Sequence, residues 1–235
     1  NKNSNLKTLA ISDIRFDQKD FDQTANQLIK NKNIKIFKDY NKLFNLDMDI
    51  LFVCLPNYLA PDATIRGLRK GCHVFCEKPP GRNVKDIKDI IEVEKNNPGL
   101  KLKYGFNHRY HSSVEEAKRI IDSNEFGEVL IFRGLYGKSR IVHFSGGWRC
   151  ERKYSGGGIL LDQGIHMLDL INFFSGPFIK FKSFVSNKYW NYDVEDDVFA
   201  ILQNYKGVVA SIHSTAVEWQ HKFRMEITCI FSRFP

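Results

Sequence analysis

The sequence predicts an α/β unit built on a parallel sheet, followed by an α+β unit with an antiparallel sheet. Three observations lead there. From residue 6 to about 107, short apolar runs alternate with stretches whose apolar residues recur at helical spacing. That is the rhythm of a doubly wound sheet. One run, Asp49 to Leu55, is continuous rather than alternating, as in a parallel strand covered on both faces. Beyond residue 108 the runs lie closer together, with hairpin-like breaks such as Lys206-Gly207. The boundary is therefore expected near residue 108, giving units over 1–108 and 109–235.

Each element has its own warrant. Leu6 to Ile14 reads as a buried strand that carries Asp13 at its end. Phe21, Ala25, Leu28 and Ile29 mark a helix over Phe21 to Lys30. A short strand over Ile34 to Phe37 and a helical turn over Tyr40 to Phe44 follow. Asp49 to Leu55 is closed by Pro56-Asn57, which is turn chemistry. The next helix starts near Pro61 and stops at Gly71, a glycine where left-handed backbone ends helices. His73 to Cys76 is a strand halted by Lys78-Pro79-Pro80-Gly81. Val84, Ile87, Ile90, Ile91 and Val93 then give a helix, and Leu100 to Phe106 a strand. In the second unit a helix is expected over Ser113 to Ser123 and a strand over Val129 to Tyr136. Gly156-Gly157-Gly158 opens a helix that runs through Phe174. Strands are expected over Phe178 to Trp190, Asp197 to Asn204, Val208 to Thr215 and Met225 to Phe231.

Composition narrows the function classes. The 235 residues are 43% hydrophobic, 26% charged and 13% aromatic, which excludes collagen-like and disordered chains. Such a chain can bury roughly 70–75% of its unfolded surface. No run approaches the ~18 apolar residues of a membrane span, and no apolar segment of export type follows the polar start. A cytoplasmic protein without a membrane partner is the expectation. The five cysteines are odd in number and irregularly spaced, which argues for reduced thiols rather than a disulfide framework. The net charge of +8 comes from scattered Lys and Arg interleaved with Asp and Glu. No nucleic-acid-binding motif accompanies them, so no nucleic-acid partner is expected. Attraction to anionic small molecules fits the charge equally well.

Three constellations could carry chemistry. Leu55-Pro56-Asn57 ends a parallel strand, the edge where open α/β sheets bind ligands; a plain turn is the competing reading. Glu77-Lys78-Pro79-Pro80 also follows a strand. A lysine on so stiff a loop can be held partly desolvated, which lowers its pKa and suits acid–base work; a surface lysine is the alternative. Asp162 and His166 lie four apart, so on a helix they share a face. Histidine exchanges protons near neutral pH, and a carboxylate beside it can orient the ring. A satisfied core Asp–His pair is the alternative. Cys72-His73 and Cys76 have a metal-like look, but residues four apart on a strand lie about 13 Å apart, so no metal site is expected. His108 and His111 flank Arg109-Tyr110 and read as a mixed polar loop.

Together these residues resemble the Gfo/Idh/MocA family of sugar-type dehydrogenases. The likeness rests on Leu55-Pro56-Asn57, Gly71 through Pro79, Gly105-Phe106-Asn107-His108-Arg109, Trp148-Arg149, and Gly156-Gly157-Gly158 through Asp162 and His166. It implies a Rossmann-like domain followed by an α+β domain with an open, mostly antiparallel sheet. It implies a nicotinamide-dependent oxidation of a secondary alcohol of a sugar, polyol or sugar nucleotide, or reduction of the ketone. His166 would take the hydroxyl proton, Lys78 would hydrogen-bond the same oxygen, and Asp162 would fix the substrate or the histidine. Leu55, Pro56, Asn57, Glu77, Lys78 and Asn107 would line the cofactor cleft, with Trp148 and Arg149 toward the nicotinamide. Asp13 matches the acid that binds the ribose hydroxyls, which favours NAD over NADP. A homo-oligomer, dimer or tetramer, is usual for such proteins. An NAD-dependent glycosidase and a non-catalytic ligand-binding or regulatory protein share the fold.

Departures from the family pattern shape further expectations. The family's first strand and G-x-G-x-x-G loop have no counterpart here, since the first glycine is Gly67. These residues are therefore expected to be an internal piece of a longer enzyme, with an incomplete parallel sheet and a shortened carboxyl end. Alone they are expected to bind NAD weakly or not at all. Ala60 stands where the family often has a histidine. Asn187 to Asp197, with Trp190, resembles members that act on nucleotide-linked sugars.

Overall fold

Parallel pairing organises the first half of the computed structural model, which describes residues 7–16, 33–139 and 147–230. Strand β1 (Ala10–Ser12) pairs in parallel with β2 (Lys35–Phe37). A second sheet, in order β3-β4-β5, is also all parallel: β3 is Ile50–Val53, β4 His73–Cys76 and β5 Leu102–Tyr104. Among the described residues no strand joins the two sheets. The helix expected over Phe21 to Lys30 lies outside the described residues.

The connections between the parallel strands follow their sequence signals. Helix α1 (Ala60–Arg69) has Pro61 in its first turn and is followed by Gly71 at φ 88°. Gly67 lets this helix lie directly on the sheet, because a Cβ there would come within 2.8 Å of Leu51. Asn83 caps α2 (Val84–Lys95), accepting from the Asp86 N–H at 3.0 Å, which satisfies an otherwise orphaned donor. Leu51, Val53, Leu68, Val74 and Cys76 form the core beneath α1. The expectation of a strand covered on both faces needs correction. Leu51 and Val53 are buried, but Ile50 is 40% and Phe52 64% exposed. Period-two geometry sends alternate side chains to opposite faces, and α1 packs on one face only. The continuous apolar run could not distinguish the two cases.

In the second half, α3 (Ser112–Ser123) precedes β6 (Val129–Gly137). A four-residue helix α4 (Arg152–Ser155) leads through the glycines to α5 (Ile165–Ser175). Strands β7 (Phe178–Ser186), β8 (Asp197–Asn204), β9 (Val209–Thr215) and β10 (Lys222–Cys229) complete a sheet in the order β10-β6-β9-β8-β7. Every pairing is antiparallel except β6 with β9. Helix α5 packs on one face through Met167, Leu170, Ile171 and Phe174 against Phe132, Ala210 and Ile212. Gly134 makes that approach possible, since a Cβ would lie 2.6 Å from the Met167 sulfur. The other face stays open, with Phe184, Phe199 and Ile201 exposed. Strand β7 ends at Ser186, before the Trp190 expected of it, because Tyr189 and Trp190 donate their backbone N–H groups to the Asp196 carboxylate. No helix among the described residues is long and apolar enough to cross a membrane.

The three glycines ahead of α5 are set by close backbone approach. Gly156 has φ 85°, and a Cβ there would lie 2.3 Å from the Arg82 carbonyl oxygen. At Gly158 a Cβ would meet the Glu195 carbonyl oxygen at 2.0 Å, which already accepts from the Ile159 N–H. Backbone cannot yield as a side-chain tip can. Gly158→Ala should therefore cost about 1–3 kcal/mol or more. Gly99→Ala, where nothing lies within 4 Å, should stay within about 0.5 kcal/mol. Urea denaturation of both variants checks this; equal midpoints would remove the packing explanation.

Candidate functional site

The carboxyl ends of three adjacent parallel strands converge on one edge. Leu55-Pro56-Asn57 follows β3, Glu77-Lys78 follows β4, and Asn107 follows β5 in a 3-10 turn over Asn107–Tyr110. The Glu77 N–H donates to the Val53 carbonyl and the Gly105 N–H to the Cys76 carbonyl, both at 2.9 Å, so the ladder extends to the residues of interest. The Lys78–Pro79 bond is cis. Cys54, beside Leu55, is a free cysteine on the surface, and partial desolvation of its thiol, then Glu77, push its pKa up.

Lys78 crosses from this edge to the second half of the chain. Its ammonium donates to the Asp162 backbone carbonyl at 2.6 Å and lies 3.8 Å from the Asp162 carboxylate. Burial pulls the Lys78 pKa down, while Asp162 and Glu77 oppose the fall. Both side chains are mostly buried, at 15% and 19% exposure. Asp162 sits in a π-helical turn, Leu160–Gly164, that leads into α5. The widened turn changes the geometry expected of residues four apart. The second carboxylate oxygen of Asp162 accepts from the Gln163 amide at 3.0 Å, and no hydrogen bond joins Asp162 to His166 among the described residues. Asp162 therefore holds Lys78 rather than the imidazole.

His166 is 4% exposed, and its Nδ1 has no hydrogen-bond partner. Rings surround it instead. His108 stacks on it with centroids 4.0 Å apart and planes 9° from parallel. Phe106 meets it edge-on at 6.1 Å and Tyr136 lies at 6.5 Å. Burial first, then His108, Lys78, Lys138 and His111, push its pKa down to about 3. Sequence reasoning missed His108, Tyr136 and Lys138 as members of this site. Its one available signal was a pair of histidines in a loop after a strand.

The remaining candidates are distributed unevenly. Asn57 is buried, and its amide donates to the Ser155 carbonyl at 2.8 Å. It thereby ties the β3 loop to α4, as does Tyr58, whose ring lies 5.0 Å from Tyr154. Trp148 and Arg149 occupy a 3-10 turn just before α4, close enough for Arg149 to act electrostatically on Lys78. Asp13 lies apart at the end of β1, gripped by the Arg15 guanidinium at 3.0 and 3.1 Å. That contact holds its carboxyl below the usual range. Glu77 and Asn107 are exposed at the edge. Among the described residues no group of three or more His, Cys, Asp or Glu could hold a metal ion.

These residues fit a dinucleotide. Ionised and amide side chains stand at the carboxyl edge of a parallel sheet, where such ligands bind. Three buried side-chain polar atoms without partners are found among the described residues: Ser12 Oγ at the end of β1, Thr64 Oγ1 in α1 and His166 Nδ1.

Comparison with known proteins agrees with this architecture. Residues 3–106 match the family model described as an oxidoreductase family with an NAD-binding Rossmann fold. Residues 114–230 match the GFO/IDH/MocA C-terminal domain. A D-glucoside 3-dehydrogenase of Escherichia coli K12 is 27% identical over 226 residues, covering 87% of this chain and 61% of its own length. The chain thus spans less than two thirds of that relative. Among solved structures, a levoglucosan dehydrogenase in complex with NADH superposes with a TM-score of 0.82 at 21% identity, over 94% of this chain and 61% of that one. A myo-inositol 2-dehydrogenase from Lactobacillus plantarum gives 0.81 at 25% identity, over 99% and 68%.

The histidine environment has a consequence for stability. The unfolded chain protonates His166 near its ordinary value of 6.5, while the folded protein refuses that proton down to about 3. Its contribution is complete above pH ~6.5 and is lost as the pH falls toward the folded value, at up to about 1.4 kcal/mol per pH unit. Urea midpoints measured from pH 7 to pH 4 should fall less steeply in His166→Gln than in the parent. Identical slopes would contradict the assignment.

Proposed function

Because the chain belongs to the GFO/IDH/MocA family of oxidoreductases, we propose that the whole protein interconverts a secondary alcohol of a sugar or polyol and its ketone, with NAD as cofactor. The observation that carries this reading is the buried Lys78 ammonium at the end of β4. It is anchored on Asp162 and lies within electrostatic reach of a neutral His166. A cation and a neutral base at one point suit removal of a hydroxyl proton. Lys78 donates a hydrogen bond to the substrate oxygen and stabilises the negative charge that develops there. His166, uncharged near neutral pH, takes the proton. Asp162 keeps Lys78 charged against the pull of burial and aims it. Tyr136 and His108 close the pocket around the imidazole and exclude water.

Bound NAD would supply the hydride acceptor for the alcohol carbon, chemistry that no side chain here provides. Asp13 would receive the ribose hydroxyls, and its negative charge disfavours the 2′-phosphate of NADP. Leu55, Pro56, Glu77, Asn107, Trp148 and Arg149 would line the cleft. Asn57 would keep that cleft's wall joined to α4. A sugar nucleotide belongs among the candidate substrates, because Lys78, Lys138 and Arg149 give the site a positive bias. A homo-oligomer, dimer or tetramer, belongs to the same reading: the open sheet face with Phe184, Phe199 and Ile201 offers a second copy an apolar surface to cover.

The test is NADH formation by the whole protein across a panel of sugars and polyols. Lys78→Ala and His166→Ala should each lower kcat by about 10²–10⁴-fold. Unchanged turnover in both would sink the mechanism, and a released sugar without net NADH would favour the glycosidase chemistry.

A further inference from the structure

His108 does more than fill space against His166. Its ring lies flat on the imidazole, with centroids 4.0 Å apart and planes within 9°. Imidazole N–H bonds lie in the ring plane, so two stacked rings cannot hydrogen-bond each other. No proton passes directly between them, and a relay is ruled out for this geometry. What the contact transmits is orientation and charge.

The stack is built in from both sides. His108 is wedged edge-on against Phe223 of β10 at 4.9 Å and against His111 at 5.2 Å, with Tyr136 of β6 at 5.9 Å. Its neighbour Arg109 forks onto both carboxylate oxygens of Asp169, with Nε at 2.7 Å. Asp169 lies one turn beyond His166 on α5. The same helix therefore carries the reacting imidazole and the anchor that places a second imidazole over it. Arg109 is further seated over the Phe173 ring at 4.9 Å.

We propose that His108 is a positioning residue for His166, which keeps that ring flat and uncharged and which shuts the site when it becomes protonated itself. This rests on the reading of His166 as the proton acceptor. Two cationic imidazoles at this separation repel strongly, so the pair accepts its first proton below the ordinary histidine range and a second only at lower pH still. His108 is the less buried partner and takes the first. Burial first, then His111 just after the 3-10 turn, Lys78 from the β4 loop and Lys138 beyond the end of β6, disfavour protonation of His108, while Asp169 favours it. Tyr136 and Asp162 complete the surroundings, and β10 contributes only the uncharged Phe223.

The pair predicts two shifts of opposite sign. In His108→Phe the flat ring remains but can carry no charge. NMR titration of the imidazole signals in the whole protein should then place His166 about one pH unit or more above its wild-type value. The acid limb of kcat/KM should move the other way, to lower pH, because the first and more accessible protonation has been removed. A side chain that only filled volume would not produce that opposition. His108→Gln, smaller and equally uncharged, should shift the His166 titration in the same direction and serves if the phenylalanine variant does not fold. A His166 titration unmoved in both variants overturns the proposal. The titration needs neither substrate nor cofactor, so it stands or falls separately from the dehydrogenase reading.

Discussion

Two backbone-on-backbone contacts hold the functional half of this molecule in register. Gly156 lies against Arg82 and Gly158 against Glu195, each closer than any side chain permits. The first joins the loop after β4 to the start of the α5 segment; the second joins that segment to the turn ahead of β8. Everything chemically interesting follows from the path the chain must then take. The π-helical turn over Leu160–Gly164 presents the Asp162 carbonyl to Lys78, and His166 follows in the first turn of α5. Gly164 and Gly134 extend the same logic, letting the helix lie directly on Ser214 and placing Met167 against β6.

Around that scaffold the electrostatics are asymmetric by design of burial. A lysine and a histidine share one dry pocket, and desolvation weakens the charged form of both. Only the lysine has a carboxylate to offset the loss. Asp162 supports Lys78, while among the described residues nothing with negative charge hydrogen-bonds His166. On the proposed mechanism the outcome is a cation beside a neutral base. Asp169 shares the helix with the histidine, but Arg109 occupies both of its oxygens.

Much of the fold was legible in residue order because the signals were local. Asp197–Asn204 was bounded correctly at both ends, and α2 began at Val84 after a capping asparagine. The fold class followed from the change in rhythm near residue 108. Failures arose where a pattern is degenerate. The run from Asp49 to Leu55 is apolar on both faces, so nothing in it could say that Phe52 stands open. At the site, Lys78 could be named from its place after a strand on a proline-stiffened loop, and Asp162 with His166 from their four-residue spacing. Which of the two the carboxylate serves could not, since four-residue spacing means a shared face only on a regular helix. The ring box of His108, Tyr136 and Phe223 draws on three distant segments, and periodicity carries no information about which loop stacks on which.

The single parallel pairing in the second sheet also constrains how the chain comes together. Strand β6 has β10 on one side and β9 on the other, so Ile131 must find Val209 before the sheet has a centre. Strands β7, β8 and β9 can zip as neighbours through short connections. The β6–β9 contact instead closes a loop that contains the glycine segment and all of α5. Closing long loops costs chain entropy before any contact returns it, and it slows folding. The pocket that holds His166 thus depends on a long-range closure, as does the pairing of β6 with β10, whose partners lie further apart still in sequence.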